Sequence, residues 1–178
     1  YKFVIRRFLK SELNLKPLHI EEENISQIDD INSLDFYKKI KFFKPDIIIV
    51  RGTSIIKEPL ISLPVDYFLN IHGSIVPNYR NVHGQFWSFY FDDFENMGTS
   101  ILHIKKGIDN GNIATSANLL DKPKNLKELN LQTITISNDL LNEILEKVIA
   151  GKQLDSVHQD KSLKPFYGQT PVLNDFIK

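Results

Sequence analysis

Short apolar runs along the chain predict four strands. These runs fall at residues 46–50, 66–71, 99–105 and 112–120. In the first of them, four branched or long apolar residues follow one another without a break, from Ile47 to Val50. Such a run is typical of a parallel strand that is covered on both faces of its sheet.

Apolar residues at helical spacing predict helices over about residues 34–43, 82–93 and 126–150. Asn32 and Ser33 can cap the first helix, and Lys44-Pro45 ends it. A shorter helix is predicted from residue 55 to residue 61. Near the start of the chain, the pattern predicts an amphipathic helix over residues 1–10 and a short strand over residues 16–20.

These elements predict an α/β fold, with a mostly parallel twisted sheet and helices on both faces. Residues 1–151 form one predicted domain, and residues 152–178 form a short polar C-terminal extension. The length of 178 residues suits one domain with a proper core.

Composition narrows the partners that we expect. Lys plus Arg and Asp plus Glu number 22 each, a balance that argues against an extended nucleic-acid surface. The absence of cysteine excludes a disulfide framework, a thiolate metal site and a cysteine nucleophile, and it fits a cytoplasmic location. We expect no metal, and no membrane partner because no apolar run approaches the roughly 20 residues of a spanning helix.

Asn70 and His72 place an amide and an imidazole at the end of the second predicted strand. Side chains alternate along a strand, so the two point to the same face. In open parallel sheets, ligands bind at the carboxyl ends of the strands. An amide donor beside an imidazolium can stabilise an oxyanion. The alternative is a strand-end cap beside a half-exposed histidine.

Asp109 lies in a Gly-Ile-Asp-Asn-Gly turn between the last two predicted strands. The distance along the chain from His72 leaves room for a helix and a strand that return to the same sheet edge. A carboxylate there can hold the histidine or relay a proton through water. The alternative is an ordinary turn former that caps local N–H groups.

A set of polar and turn residues follows in fixed order and spacing: Asn70, His72, Ser74, Pro77, Tyr79, Arg80, Gly98, Thr99, Ser100, Gly107, Asp109, Gly111 and Ile113. This pattern resembles the folate-dependent formyltransferase family. The family includes sugar N-formyltransferases, glycinamide ribonucleotide formyltransferase and methionyl-tRNA formyltransferase, which share a catalytic domain. The sequence departs from the family pattern at Gly73, where proline is usual, and at Asn81, where glycine is usual.

The resemblance implies a Rossmann-like formyltransferase fold with N10-formyltetrahydrofolate as co-substrate. It implies catalytic roles for Asn70, His72 and Asp109. The residues implied to bind the co-substrate are Ser54, Ile55, Ile56, Gly107 and Ile108. The residues implied to contact the acceptor are Ser74, His83 and Gln85. For Ile55 and Ile56 the alternative is a core role, and for His83 and Gln85 it is solvation of a helix start.

Family members begin with a strand, a phosphate-binding loop and a helix, and residues 1–10 lack this glycine-rich opening. We therefore expect that the first strand is missing and that residues precede Tyr1, the alternative being a shorter variant. The polar residues after Gly151 are too few for a second, tRNA-binding domain, so we expect no nucleic-acid acceptor.

The reaction that the resemblance implies is formyl transfer to a primary amine. The first expectation is a small acceptor, an amino sugar linked to a nucleotide. Glycinamide ribonucleotide, a formyl-folate hydrolase and a non-catalytic folate- or nucleotide-binding relative stay open. A homodimer stays open as well.

Overall fold

The structure, a computed structural model, describes residues 27–172 and Asp175. Its elements are α1 Leu34–Phe43, β1 Ile47–Arg51, β2 Tyr67–His72, β3 Tyr79–Asn81, α2 Gly84–Tyr90, a 3-10 turn Phe94–Asn96, β4 Gly98–His103, β5 Ile113–Asn118, α3 Leu126–Ile149 and β6 Phe166–Gly168. The helix predicted over residues 1–10 and the strand predicted over residues 16–20 lie outside the described residues. None of the described helices has both the length and the apolar character that a bilayer crossing requires.

Four strands form one sheet in the order β1-β2-β4-β5. β1 runs parallel to β2, whereas the β2–β4 and β4–β5 pairs are antiparallel. The α/β class is confirmed, but the described sheet is mixed, which corrects the mostly parallel sheet predicted from the sequence. The connection over residues 104–112 is one reason, because parallel neighbours need a crossover of about a dozen residues or more.

Helices cover both faces of the sheet, as predicted. Alternate residues of the central strands point to opposite faces and build two clusters. The cluster under α3 contains Leu69, Ile71, Ile101, Leu140 and Ile144. The cluster under α1 contains Phe36, Ile40, Ile48, Ile56, Leu60 and Phe68. Full burial of one such side chain contributes roughly 1.5–3 kcal/mol.

The start of α1 agrees with the sequence prediction, and Ser33 Oγ caps it by accepting from the Phe36 N–H at 3.2 Å. The helix predicted from residue 55 to residue 61 is instead a segment without regular secondary structure followed by a turn over residues 58–62. A helix there would direct Ile55 O at the nitrogen of Pro59, which has no hydrogen. Asn32 binds this segment instead, donating to Ile55 O at 3.0 Å and accepting from Lys57 N–H at 2.8 Å.

The helix predicted over residues 82–93 is shorter in the structure and spans Gly84–Tyr90. His83 and Asp92 flank it, each with a φ of 57°. A right-handed helix cannot continue through this left-handed backbone region, so α2 is confined between the two residues.

Residues after α3 return to the body of the fold. β6 pairs in parallel with β3, with Arg80 opposite Tyr167. Val157 forms a bridge to Ile113 at the start of β5. The ring N–H of Trp87 donates to Gln169 O at 2.8 Å. The sequence predicts only a polar extension here, because a three-residue strand has no detectable periodicity. The domain boundary at residue 151 stays a prediction.

Candidate active site

The structure brings Asn70, His72 and Asp109 together at the carboxyl end of β2. Asn70 Nδ2 donates to Asp109 Oδ1 at 3.1 Å. His72 Nδ1 lies 3.6 Å from Asp109 Oδ2. The second distance suits an ion pair but is too long for a hydrogen bond, so Nδ1 stays available to a ligand. The proximity that the sequence could not show is therefore present.

Asp109 is held at its backbone and at its carboxylate. Its φ of 45° lies in the left-handed region, which few residues other than glycine adopt. The Asn81 N–H donates to Asp109 Oδ2 at 2.8 Å. Asn81 itself has a φ of 69°, so asparagine replaces the glycine of the family pattern without loss of the turn.

His72 is 7% exposed, and its Nε2 faces two oxygens. Nε2 lies 2.9 Å from Tyr79 O and 2.8 Å from Ser74 Oγ. A carbonyl oxygen can only accept, so Nε2 carries a hydrogen. A protonated ring then presents its second N–H, at Nδ1, toward Asp109. This orientation allows His72 to hold a proton between a carboxylate and a ligand.

Ser74 is fully buried, so its side chain supports His72 instead of facing a ligand. Its hydroxyl donates to Tyr79 O at 3.2 Å, which completes a closed network with the imidazole. A Cβ at Gly84 would lie 2.3 Å from Ser74 Oγ, so α2 approaches this network too closely for a side chain at residue 84. This placement differs from the acceptor contact expected at Ser74, because residue spacing does not show how closely α2 covers it.

The loop after β1 begins beside β2, since Val50 pairs with Asn70. Ser54 and Ile55 are exposed in this loop. Ile56 is 8% exposed and belongs to the core under α1, as the alternative interpretation of its side chain expects. Ser54, Ile55 and the backbone of Ile56 are thus the groups that a ligand can reach here.

Gly107 and Ile108 open the turn that carries Asp109. Gly107 has a φ of 115°, and a Cβ there would lie 2.4 Å from Asn110 Nδ2. The Asn110 amide donates to Lys106 O at 2.9 Å. Gly107 therefore lets the turn close on itself, and Ile108 is half-buried beside it. Contact of either residue with a folate stays a prediction.

His83 and Gln85 lie at the start of α2. His83 is exposed and makes no capping hydrogen bond with its side chain. Gln85 donates to the side chain of Asn130 on α3. A Cβ at Gly73 would lie 2.7 Å from Gln85 Oε1, the flexible end of that side chain. His83 is thus open to a ligand, Gln85 has an internal partner, and the acceptor roles of both stay predictions.

Gln159 and Arg80 complete the surroundings of Asp109. Gln159 is buried, donates to Asp109 O and to Gly111 O at 2.7 Å each, and accepts from Arg80 Nη2 at 2.7 Å. No sequence pattern predicts a role for Gln159, because a single glutamine in a polar segment has neither periodicity nor a motif. The contact arises only when the chain returns after α3.

Burial changes the pKa of two side chains near the site. Burial, and then the hydrogen bond to Asp93 Oδ2 at 2.9 Å, raise the pKa of Tyr79. Its phenol therefore stays protonated and structural. Burial lowers the pKa of Arg51 from its usual value. Arg51 ends β1 and still places a cation beside the loop with Ser54.

The family described as formyl transferase matches residues 10–135. The methionyl-tRNA formyltransferase of Dictyoglomus thermophilum is 31% identical over 136 residues, covering 75% of this chain and 43% of the relative. That of Methylacidiphilum infernorum is 31% identical over 130 residues, covering 72% and 40%. The chain thus spans less than half the length of these curated relatives.

Solved formyltransferases share the fold at lower identity. The formyltransferase PseJ from Anoxybacillus kamchatkensis, in complex with UDP-4,6-dideoxy-4-formamido-L-AltNAc and tetrahydrofolate, has a TM-score of 0.59 at 22% identity, over 68% of this chain and 64% of that one. An N-formyltransferase from Helicobacter canadensis, in complex with folinic acid and dTDP-3-aminofucose, has a TM-score of 0.57 at 20% identity, over 68% and 44%. Phosphoribosylglycinamide formyltransferase from Bacillus halodurans has a TM-score of 0.59 at 18% identity, over 66% and 61%. Because the family match over residues 10–135 covers more than half of the sequence, the chain belongs to the formyl transferase family.

Proposed function

We propose that this protein transfers a formyl group from N10-formyltetrahydrofolate to a primary amine. The observation that carries the proposal is the meeting of three side chains, with Asp109 at 3.1 Å from Asn70 Nδ2 and 3.6 Å from His72 Nδ1. Membership of the formyl transferase family supports the reaction class. Formyl-folate is then a co-substrate that is consumed in each turnover.

The three side chains match the charges that this reaction develops. The amine attacks the formyl carbon, a carbon–nitrogen bond forms, and negative charge moves onto the formyl oxygen. Asn70 directs one amide hydrogen at Asp109 and has a second for the oxyanion, and protonated His72 adds the N–H at Nδ1. Asp109 accepts the amine proton directly or through water, and that proton reaches N10 as its bond to the formyl carbon breaks.

The folate is proposed to lie along Ser54, Ile55 and the backbone of Ile56, with Gly107 and Ile108 on its other side. The exposure of Ser54 and Ile55 supports this placement, as does the pairing that sets their strand beside Asn70. The Anoxybacillus and Helicobacter relatives were solved with tetrahydrofolate and folinic acid, respectively.

The first candidate acceptor is an amino sugar linked to a nucleotide. The nucleotide sugars bound in the Anoxybacillus and Helicobacter structures support it. Methionyl-tRNA is the second candidate, because the curated relatives at 31% identity carry that name. Glycinamide ribonucleotide is the third, supported by the Bacillus halodurans relative. Exposed His83 is the residue proposed to face the acceptor, with Gln85 behind it.

The proposal retains a cytoplasmic location, with which the cysteine-free sequence agrees. It also retains a homodimer as an expectation. Sedimentation of the full chain at several concentrations checks the oligomeric state.

The test measures formyl transfer by the full-length protein from N10-formyltetrahydrofolate. A nucleotide-linked 4-amino sugar, methionyl-tRNA, glycinamide ribonucleotide and water alone are compared as acceptors. We expect turnover with the amino sugar that is lost in His72→Ala. Turnover with another amine alone overturns the acceptor assignment, and turnover with water alone makes the protein a hydrolase. Failure to bind a stable formyl-folate analogue at millimolar concentration overturns the whole proposal.

A further inference from the structure

Gln159 uses both hydrogens and the oxygen of its side-chain amide in hydrogen bonds beside the site. Its Nε2 donates to Asp109 O and to Gly111 O, each at 2.7 Å. Its Oε1 accepts from Arg80 Nη2 at 2.7 Å. The residue is 8% exposed, so these bonds form where little water competes for them.

The partners of Gln159 fix the orientation of its amide. Carbonyl oxygens only accept and a guanidinium only donates, so a flipped amide would lose all three bonds. Arg80 is itself held in place, because β3 pairs with β6 and Arg80 Nη1 lies 3.4 Å from the Tyr167 hydroxyl. Gln159 is therefore a fixed link between β3 and the turn that carries Asp109.

The two carbonyls that Gln159 binds lie on either side of Asn110 in that turn. The hydrogen-bond ladder between β4 and β5 supports the turn only at its base, where the His103 N–H donates to Asn112 O at 2.9 Å. The φ of 45° at Asp109 is a strained conformation that persists only when the surroundings impose it. Gln159 binds the backbone at Asp109 and at Gly111, and so imposes it.

We propose that Gln159 is a positioning residue that holds the Asp109 carboxylate against Asn70 and His72. The inference rests on the proposed formyl transfer, in which Asp109 manages the proton. Gln159 acts through Asp109 and does not touch the reacting atoms. Arg80 supports it by orienting its amide.

The test variant is Gln159→Glu, which keeps the shape of the side chain. The carboxylate still pairs with Arg80, but it cannot donate to the carbonyls of Asp109 and Gly111 and repels them. We expect kcat to fall by roughly 10- to 100-fold, because a displacement of about 1 Å in a catalytic group costs up to about 10²-fold. The KM for formyl-folate should change by less than about twofold. Gln153→Glu makes the same charge change at an exposed residue and keeps the original kcat.

A double variant separates positioning from general stability. If Gln159 acts through Asp109, adding Gln159→Glu to Asp109→Ala lowers kcat no further. A purely structural role would multiply the two losses, and that result overturns the proposal. An unchanged kcat in the single variant overturns it too. Should Gln159→Glu fail to fold, Gln159→Met removes the same donors without a charge.

A second measurement needs no activity. The Asn81 N–H donates to Asp109 Oδ2 at 2.8 Å, so its hydrogen exchange, followed by NMR, reports the position of the carboxylate. We expect Gln159→Glu to accelerate this exchange by about tenfold or more, and Gln153→Glu to leave it unchanged. If the intact protein formylates no acceptor, the proposed function fails and the Asn81 exchange alone decides whether Gln159 positions Asp109. Unchanged exchange in Gln159→Glu overturns the inference.

Discussion

Ser74 Oγ lies 2.8 Å from Nε2 of His72, and both residues are buried. The serine hydroxyl also donates to Tyr79 O, which is the second partner of the same ring nitrogen. The imidazole is therefore fixed from the side opposite Asp109. This support leaves Nδ1 as the nitrogen that faces the proposed reaction.

Ser74→Ala should lower kcat by about two- to tenfold, because one hydrogen bond of roughly 0.5–1.5 kcal/mol to His72 is lost while Tyr79 O remains. Steady-state kinetics measure the loss of kcat, and thermal unfolding measures any loss of stability that accompanies it. Ser88→Ala is the matched control, since Ser88 is equally buried and its hydroxyl donates to Gln85 O. Equal losses of kcat in both variants would contradict a specific role for Ser74.

Gly84→Ala should destabilise the protein by roughly 1–3 kcal/mol, the usual result of overpacking. The new methyl group would lie 2.3 Å from Ser74 Oγ and would disturb the support of His72. Activity should therefore fall together with stability in urea unfolding. Gly73→Ala is the control, because its methyl group meets the flexible end of Gln85 and lies at an ordinary contact distance of 3.7 Å from Thr133 Cγ2. A Gly84→Ala protein as stable and active as Gly73→Ala would show that the close approach is wrong.

Alanine substitution at Asn70 or at His72 should each lower turnover by roughly 10²–10³, the typical loss for one oxyanion donor. Asp109→Ala should cost at least as much if it also accepts the proton. The combined variants should lose far less than the product of the single losses, because the three groups act as one unit. Full activity of His72→Ala on any acceptor contradicts the catalytic assignment.

Asn32→Ala should weaken binding of a formyl-folate analogue by about two- to tenfold per lost hydrogen bond. The Asn32 side chain bonds to Ile55 O and to Lys57 N–H, and so holds the proposed folate loop in place. Calorimetry on the full chain measures the change in Kd. Asn142→Ala, at an exposed position of α3, is the control and should bind like the original protein.

The stability of the protein should decline in acid partly through His103. Burial, and then the charge of Lys105, lower the pKa of His103 from its usual 6.5. The unfolded chain therefore binds a proton at higher pH than the folded chain does. His103 then stabilises the fold fully above about pH 6.5, and this contribution is lost as the pH falls through the folded pKa.

His103→Gln should accordingly flatten the fall in unfolding free energy below about pH 6.5. Urea unfolding at a series of pH values measures it. His158→Gln, at an exposed position, should keep the original slope. If the unfolding free energy falls equally with pH in His103→Gln and in the original protein, His103 makes no contribution to the pH dependence.

The sequence predicts the elements whose signal is repeated along the chain. Strand β2 and helix α3 follow from runs and periods of apolar residues. The motif selects Asn70, His72 and Asp109 as candidates, and the structure shows that they meet. A contact made by one isolated residue leaves no such repeated signal in the sequence and is not predicted. Asn32 is expected to cap a helix, yet its amide binds a loop more than 20 residues away in sequence.

Other differences between the structure and the sequence predictions also arise from single contacts. Ser74 belongs to the motif, but its burial depends on the close passage of α2 at Gly84, which residue spacing does not encode. Gln159 lies two residues after Val157, whose bridge to Ile113 is a single residue pair and so is too short to show a period. These contacts join segments that are far apart in the sequence, and the local pattern of apolar and polar residues in those segments does not predict them.

Because β3 pairs with β6, the stretch that contains Arg80 and the stretch that follows α3 depend on each other in evolution and in engineered variants. Arg80 and Gln159 should covary among relatives, because a donor at one position requires an acceptor at the other. A chimera that joins the region up to α3 to a foreign C-terminal segment would keep Asn70, His72 and Asp109 but lose the amide that holds the turn. Such a graft would succeed only when the incoming segment brings a counterpart of Gln159.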